Sequence, residues 1–200
     1  MMLYTYEELK DFVDHCTRCA LSETRNKAVM GRGSLRSPVI FIAEGPGRSE
    51  DQDGIPFTGR SGRVFDRLLS GIGMKREDIY ITNIVKCRPP NNRDPHPQEQ
   101  ETCMPYLKYE TLLLRPKIIV CLGRIAAQRI IRPDYRITRE HGAFIFRKNT
   151  WLTSVYHPSA ILRDETKFPE AQADFFAIKE KLKELAASEN DCAHTRYNPT

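Results

Sequence analysis

The sequence has no apolar run approaching the roughly 18 residues needed to cross a membrane, and its longest candidates, such as Lys117–Gly123, are strand-sized. Its N-terminus, MMLYTYEELKDF, carries acids rather than a basic segment ahead of an apolar one, so no secretory leader is expected. Internal repeats and low-complexity tracts are also missing. The glycine-rich turn at Glu44-Gly45-Pro46-Gly47 lacks both a G-x-G-x-x-G pattern and the lysine of a P-loop, which argues against a nucleotide site. These absences lead us to expect a soluble, cytoplasmic chain with no membrane partner.

What is present fits one globular domain. The chain has 200 residues, of which 40% are hydrophobic, 28% charged and 9% aromatic; this composition excludes a disordered tail or a collagen. A chain of this length buries roughly 70% of its unfolded surface, so its core needs neither metal nor disulfide to form. A formal net charge of +5 permits a polyanionic partner without demanding one. The six cysteines are more pointed, because a reducing compartment disfavours disulfides and leaves metal binding or catalysis as the default.

Thr5-Tyr6-Glu7-Glu8 reads as a capping box opening a helix to about His15. Val39–Ala43 (VIFIA) and Ile118–Leu122 (IIVCL) are apolar runs of strand length, typical of strands covered on both faces, and Ile79–Val85 is another β run. Val64, Leu68, Leu69 and Ile72 fall at helical spacing before Gly73. Arg88–Pro97 holds four prolines in ten residues and must be a loop. A helix with Cys103 follows from about Gln98, and another with Ala126, Ala127, Ile130 and Ile131 follows Gly123. Phe144–Phe146 and Trp151–Val155 flank Lys148-Asn149 as a hairpin, and a last helix spans about Glu170–Leu185. Strands alternating with helices predict an α/β fold, a three-layer α/β/α sandwich around a largely parallel sheet. Residues 1–186 should form one domain, with 187–200 a polar, flexible tail. In such sheets ligands bind beyond the carboxyl ends of the strands. The odd polar clusters lie there: Glu44-Gly45-Pro46-Gly47, Asn83, and His157-Pro158-Ser159.

Cys16-x2-Cys19 is followed after 67 residues by Cys87-x15-Cys103. An all-thiolate set suits zinc or an iron–sulfur cluster; a single close pair with two scattered thiols looks less like a zinc ribbon. Cys121, inside a strand, and Cys192, in the tail, read as bystanders. Phe57 is a stacking face or a core plug. Asn83 is an amide in an otherwise apolar strand that must find partners. His157 is a structural or a functional imidazole.

Taken together these residues resemble the family 4 uracil-DNA glycosylases, the iron–sulfur branch of their superfamily. The motifs are Cys16-x2-Cys19, Glu44-Gly-Pro-Gly-x2-Glu50-Asp51, Pro56-Phe57-x-Gly59-Arg60-x-Gly62, Thr82-Asn83-Ile-Val-Lys86-Cys87-Arg88-Pro-Pro and His157-Pro-Ser159-x2-Leu162-Arg163, covering roughly Cys16 to Lys181. The resemblance implies a four-stranded parallel sheet between helices and a [4Fe-4S] cluster on Cys16, Cys19, Cys87 and Cys103. It also implies a monomeric hydrolase that releases uracil from single- or double-stranded DNA.

In that reading Phe57 stacks on the flipped base, Asn83 pairs with its O4 and N3–H, and Glu50 crowds C5 against thymine. His157 donates to O2, helped by backbone amides near Glu44 and Gly45, and Glu44 is the candidate for activating water. Ile161 and Leu162 are candidate wedges, while Lys86, Arg88, Ser159 and Arg163 are candidate phosphate contacts. The alternatives are a uracil-DNA binder trapped covalently on its product and a non-catalytic iron–sulfur DNA-binding module. The trapping branch carries an inserted basic loop with an extra histidine before the last cysteine; this chain has only Asn91–Pro97 there, with His96.

Overall fold

A computed structural model describes residues 4–195, with side chains through 188. Helix α1 (Tyr6–Asp14) opens on Thr5, whose hydroxyl accepts from the Glu8 amide at 3.2 Å while the Glu8 carboxylate accepts from the Thr5 amide at 2.7 Å. After the first cysteine pair come α2 (Leu21–Thr24) and the two-residue strand β1 (Arg32–Gly33). Strand β2 (Val39–Ala43) leads through α3 (Arg48–Asp53) and α4 (Arg60–Gly71) to β3 (Tyr80–Asn83), and α5 (Pro97–Leu114) leads on to β4 (Ile118–Leu122). Helices α6 (Arg124–Ile130) and α7 (Ile137–Glu140) precede the hairpin β5 (Ile145–Arg147) and β6 (Thr150–Val155), and α8 (Pro158–Arg163) and α9 (Phe168–Thr195) follow.

The strands form one sheet in the order β1-β3-β2-β4-β6-β5. Strands β3, β2, β4 and β6 run parallel, with Ala43 beside Asn83 and Leu122 beside Val155. The expected four parallel strands therefore form the centre. Two short antiparallel edges extend it to six: β1 pairs with β3, and β5 with β6. Two residues of β1 carry no readable period, whereas β5 is the expected hairpin, turned by Lys148 and Asn149 at φ 49° and 65°.

Alternation along each strand serves two cores. Phe41 and Val120 face Phe65, Leu68 and Phe175 on one side, while Ile40, Ile42 and Cys121 face Leu107, Ala126 and Ala127 on the other. That double burial is why β2 and β4 lack polar positions. Helix α9 reaches Thr195, ten residues past the expected end at Leu185, so part of the expected tail is helical. Cys192 lies outside the described side chains and residues 196–200 outside the description altogether.

From β2 the chain crosses to β3 on one flank and then to β4 on the other. The direction of winding reverses at β2, which opens a crevice beyond the carboxyl ends of the strands. Glu44, Asn83, Gly123 and His157 end or directly follow the four parallel strands and meet at that crevice.

Behind β3 lies a polar network inside the apolar layer. Glu110 of α5 accepts from the Gly31 amide and the Tyr80 hydroxyl, each at 3.0 Å, and from Thr82 Oγ1 at 2.9 Å, and it forms an ion pair with Lys86. Lys86 Nζ also donates to Thr82 Oγ1 at 2.7 Å and to the Asn83 carbonyl at 2.8 Å. Every donor and acceptor of this inward pair thus has a partner, the condition under which a low-dielectric interior tolerates charge.

Candidate active site

The crevice is a cleft of about 870 Å³ whose walls include Glu44, Gly45, Glu50, Phe57, Asn83 and His157. It brings together turns that are up to 113 positions apart in the sequence, from Glu44 to His157. Asn83 is only 2% exposed, and its Oδ1 has no hydrogen-bond partner among the described residues. Buried polar oxygens are almost always satisfied; among the described side chains Asn83 Oδ1 and Thr153 Oγ1 are exceptions, and of these Asn83 lies on the cleft wall.

Phe57 presents its ring to the same wall, 5.9 Å from the His157 ring and 5.2 Å from Phe65. Its backbone sits at φ 58°, a region that aromatic residues rarely occupy. Glu50, on α3, accepts from the Gly59 amide at 3.1 Å, which ties two of the glycine-rich turns together. Glycines let these turns approach: a Cβ on Gly45 would lie 2.8 Å from Val85 Cγ2, and one on Gly123 2.8 Å from His157 Cβ.

His157 is the N-cap of α8, and its Nδ1 accepts from the Ser159 amide at 3.1 Å. That bond leaves the ring proton on Nε2. Burial, reinforced by the nearby Arg163 charge, lowers its pKa to about 4, so the imidazole is neutral at pH 7. Glu44 is shifted the other way. Burial, with Asp94 adding like-charge repulsion against the opposing pull of Arg124, raises its carboxyl to about 7. The cleft therefore holds a neutral donor and a carboxylate poised to exchange a proton near neutrality.

Two residues expected to face DNA do not. Lys86 is buried and spends its charge on Glu110, because β3 and α5 bring the opposite charge against it. Ile161 points into the core beneath the sheet, while its neighbour Leu162 is 46% exposed on the cleft wall; one step along a helix turns a side chain by about 100°. Arg88 is half-buried, outside the cleft wall, and donates from Nε to Asn92 Oδ1 at 2.7 Å. Ser159 and Arg163 do line the cleft, with the Ser159 hydroxyl 2.8 Å from His157 Nδ1. The sequence reading missed Arg48 and Arg60, exposed at the rim, and the Asp94–Arg124 ion pair that sets the charge around Glu44. The first two lie inside the glycine-rich motifs, where an arginine next to a phosphate-sized turn is the available signal.

Cys16, Cys19, Cys87 and Cys103 line a second cavity together with Arg25 and Tyr106; Cys121 lies elsewhere, inside β4. Arg25 Nη1 donates to Cys87 Sγ at 3.0 Å and the Lys86 amide to Cys103 Sγ at 3.3 Å. Burial pushes the Cys87 thiol up and the Cys103 thiol to about 12. Among the described residues no three His, Cys, Asp or Glu side chains gather closely enough to hold a single metal ion. The four sulfurs, with two N–H groups directed at them, form an all-thiolate donor set of the kind that suits zinc or an iron–sulfur cluster.

Residues 30–183 match the model of the uracil DNA glycosylase superfamily. The chain is 40% identical over 186 residues to a type-4 uracil-DNA glycosylase of Archaeoglobus fulgidus, covering 87% of this chain and 93% of that protein. It is also 40% identical over 174 residues to a type-4 uracil-DNA glycosylase of Thermotoga maritima, covering 82% and 88%. A type-5 uracil-DNA glycosylase of Pyrobaculum aerophilum is 32% identical over 146 residues, 64% of each chain.

Proposed function

The chain belongs to the uracil DNA glycosylase superfamily, and from that premise we propose how its cleft hydrolyses the N-glycosidic bond of deoxyuridine in DNA, releasing uracil and leaving an abasic site. The observation that carries the reading is Asn83 Oδ1, a buried acceptor without a partner among the described residues, set beside a stacking ring and a neutral imidazole.

The target nucleotide leaves the stack and enters the cleft at a cost of a few kcal/mol. Phe57 stacks on the base. Asn83 accepts from N3–H through Oδ1 and donates to O4 through Nδ2. Cytosine presents the reverse pattern at these two positions, so a fixed amide leaves buried polar groups unpaired against it. Glu50 fills the space beside C5 that a thymine methyl needs. As the bond breaks, charge grows on O2, and the Nε2–H of neutral His157 donates to it. The backbone amides at Glu44 and Gly45 assist. Glu44 takes a proton from the water that attacks the sugar. Leu162 occupies the gap in the duplex, and Arg48, Arg60 and Arg163 meet phosphates at the rim.

Cys16, Cys19, Cys87 and Cys103 are the residues that would hold a [4Fe-4S] cluster. Bound there, it would tie the N-terminal segment to the loop after β3 and to α5. The cytoplasm keeps such thiols reduced. The working unit in this reading is a monomer.

One preparation tests this reading. Single-uracil DNA incubated with the protein and treated with alkali is expected to break at the uracil on a denaturing gel. A gel-stable protein–DNA adduct would mean product trapping instead, and an intact strand would sink both enzymatic readings. The same protein is expected to be brown, with iron at about four atoms per chain; colourless protein carrying zinc overturns the cluster.

The proton-transfer role of Glu44 has its own signature. Only the ionised carboxylate accepts a proton, and its pKa is raised to about 7, so activity should climb with pH through that value. His157, lowered to about 4, adds no limb above pH 5. Glu44→Gln is expected to give a slower rate that is flat from pH 5.5 to 8.5. A parental limb that survives in Glu44→Gln removes Glu44 from the role.

A further inference from the structure

We infer that Arg76, which lies outside the cleft, is a positioning residue for the aromatic platform that receives the base. Phe57 holds a left-handed backbone at φ 58°, which its own side chain disfavours, so the surroundings must impose it. The Arg76 guanidinium supplies that constraint. It donates to the Phe57 carbonyl at 2.6 Å, to the Pro56 carbonyl at 3.3 Å and to the Gly62 carbonyl at 3.4 Å. Asp66 of α4 holds the guanidinium from behind, through Nε at 2.5 Å and Nη2 at 3.1 Å. A planar fork that binds a carboxylate on one edge and carbonyls on the other is a property of arginine, not of lysine.

Helix α4 presses on the same carbonyl. A Cβ on Gly62 would lie 1.8 Å from the Phe57 oxygen, so the glycine lets the helix lie against a peptide that Arg76 already fixes. Arg76 is also the first residue of the 3-10 turn Arg76–Asp78, which leads directly into β3 and so to Asn83. One guanidinium thus connects the segment that stacks on the base with the strand that reads its edge. Without it Phe57 is free to relax toward an ordinary backbone conformation, and its ring swings out of register with His157. Misplacement of a substrate-positioning group on the scale of an ångström is enough to lose rate without losing the fold.

The inference rests on the glycosylase reading, and a double-mutant cycle separates the two. Single-turnover uracil release is measured for the parent, Arg76→Gln, Phe57→Ala and the double variant, alongside affinity for undamaged DNA of the same length and the melting temperature. Arg76→Gln is expected to slow release by about tenfold or more, with undamaged-DNA affinity within about twofold of the parent. In the Phe57→Ala background the same substitution is expected to change the rate by less than about twofold, because the group it positions is gone. If Arg76 merely stabilises the domain, the two losses multiply, and that outcome overturns the inference, as does a parental rate for Arg76→Gln. Should Arg76→Gln not fold, the cycle is run with Arg76→Lys, which keeps a charge beside Asp66 without the fork, under the same criteria. A parent protein that releases no uracil removes the glycosylase reading and the inference together.

Discussion

Replacing His157 with alanine is expected to slow uracil release by about 10² to 10³, the loss typical of one preorganised donor at a developing oxyanion, and Asn83→Ala, which loses the contacts to the base edge, by about tenfold or more. Nε2–H of His157 is already oriented, because Nδ1 is committed to the Ser159 amide, so no reorganisation is needed as charge builds on O2. The two variants should part company in stability. His157→Ala removes the N-cap of α8 and should destabilise the fold by about 1 kcal/mol. Asn83→Ala removes a buried oxygen that has no partner among the described residues, and an unsatisfied buried acceptor costs about 1–3 kcal/mol. Asn83→Ala should therefore melt no lower than the parent while losing its activity. Single-turnover kinetics and thermal melts on the same samples decide it. Near-parental rates in both variants refute the site, and a strongly destabilised Asn83→Ala means that its amide serves the fold.

The second large effect lies behind β3. Glu110→Leu leaves Lys86 charged and enclosed, and breaking a buried pair in this way costs about 3–5 kcal/mol. For a chain of this size that is a fall of roughly 10 °C or more in melting temperature. The double replacement Lys86→Met/Glu110→Leu removes the unpaired charge but takes their partner from the Gly31 amide, the Tyr80 hydroxyl and the Asn83 carbonyl, so it should recover only part of the loss. Because Lys86 Nζ also holds the Asn83 carbonyl, the double variant is expected to be more stable than Glu110→Leu yet slower than the parent. Its salt dependence of DNA binding should match the parent, because Lys86 touches no phosphate. A Glu110→Leu protein that melts within about 1 kcal/mol of the parent would mean that the pair is not buried as described.

The sequence was most informative about segments whose character is set within a few residues. VIFIA and IIVCL are strands with both faces covered because no position along them tolerates water. Thr5 and Glu8 form their capping box from local spacing alone. The Glu44 turn with its glycines, Asn83 and His157 stand at or just beyond strand ends, and the rule for parallel sheets gathers them at one edge; Phe57 stands on the loop between α3 and α4 and joins them only through packing. The family resemblance of those same motifs agrees with the superfamily match over residues 30–183.

What the sequence left undecided depends on partners distant along the chain. Lys86 looked like a cation for DNA because Glu110 stands 24 positions away, and only the packing of α5 on β3 puts the two together. Ile161 and Leu162 are equivalent as letters; the orientation of α8 buries one and exposes the other. The strained backbone of Phe57 and its Arg76 clamp have no local signature either. On its own the sequence determined the elements, the edge of the sheet at which chemistry would gather and the residue types available there. Only the tertiary structure decided which charges are quenched, which side chains face the cleft and which proton each group carries. Periodicity and capping are short-range, whereas desolvation and Coulomb interactions depend on everything packed around a group.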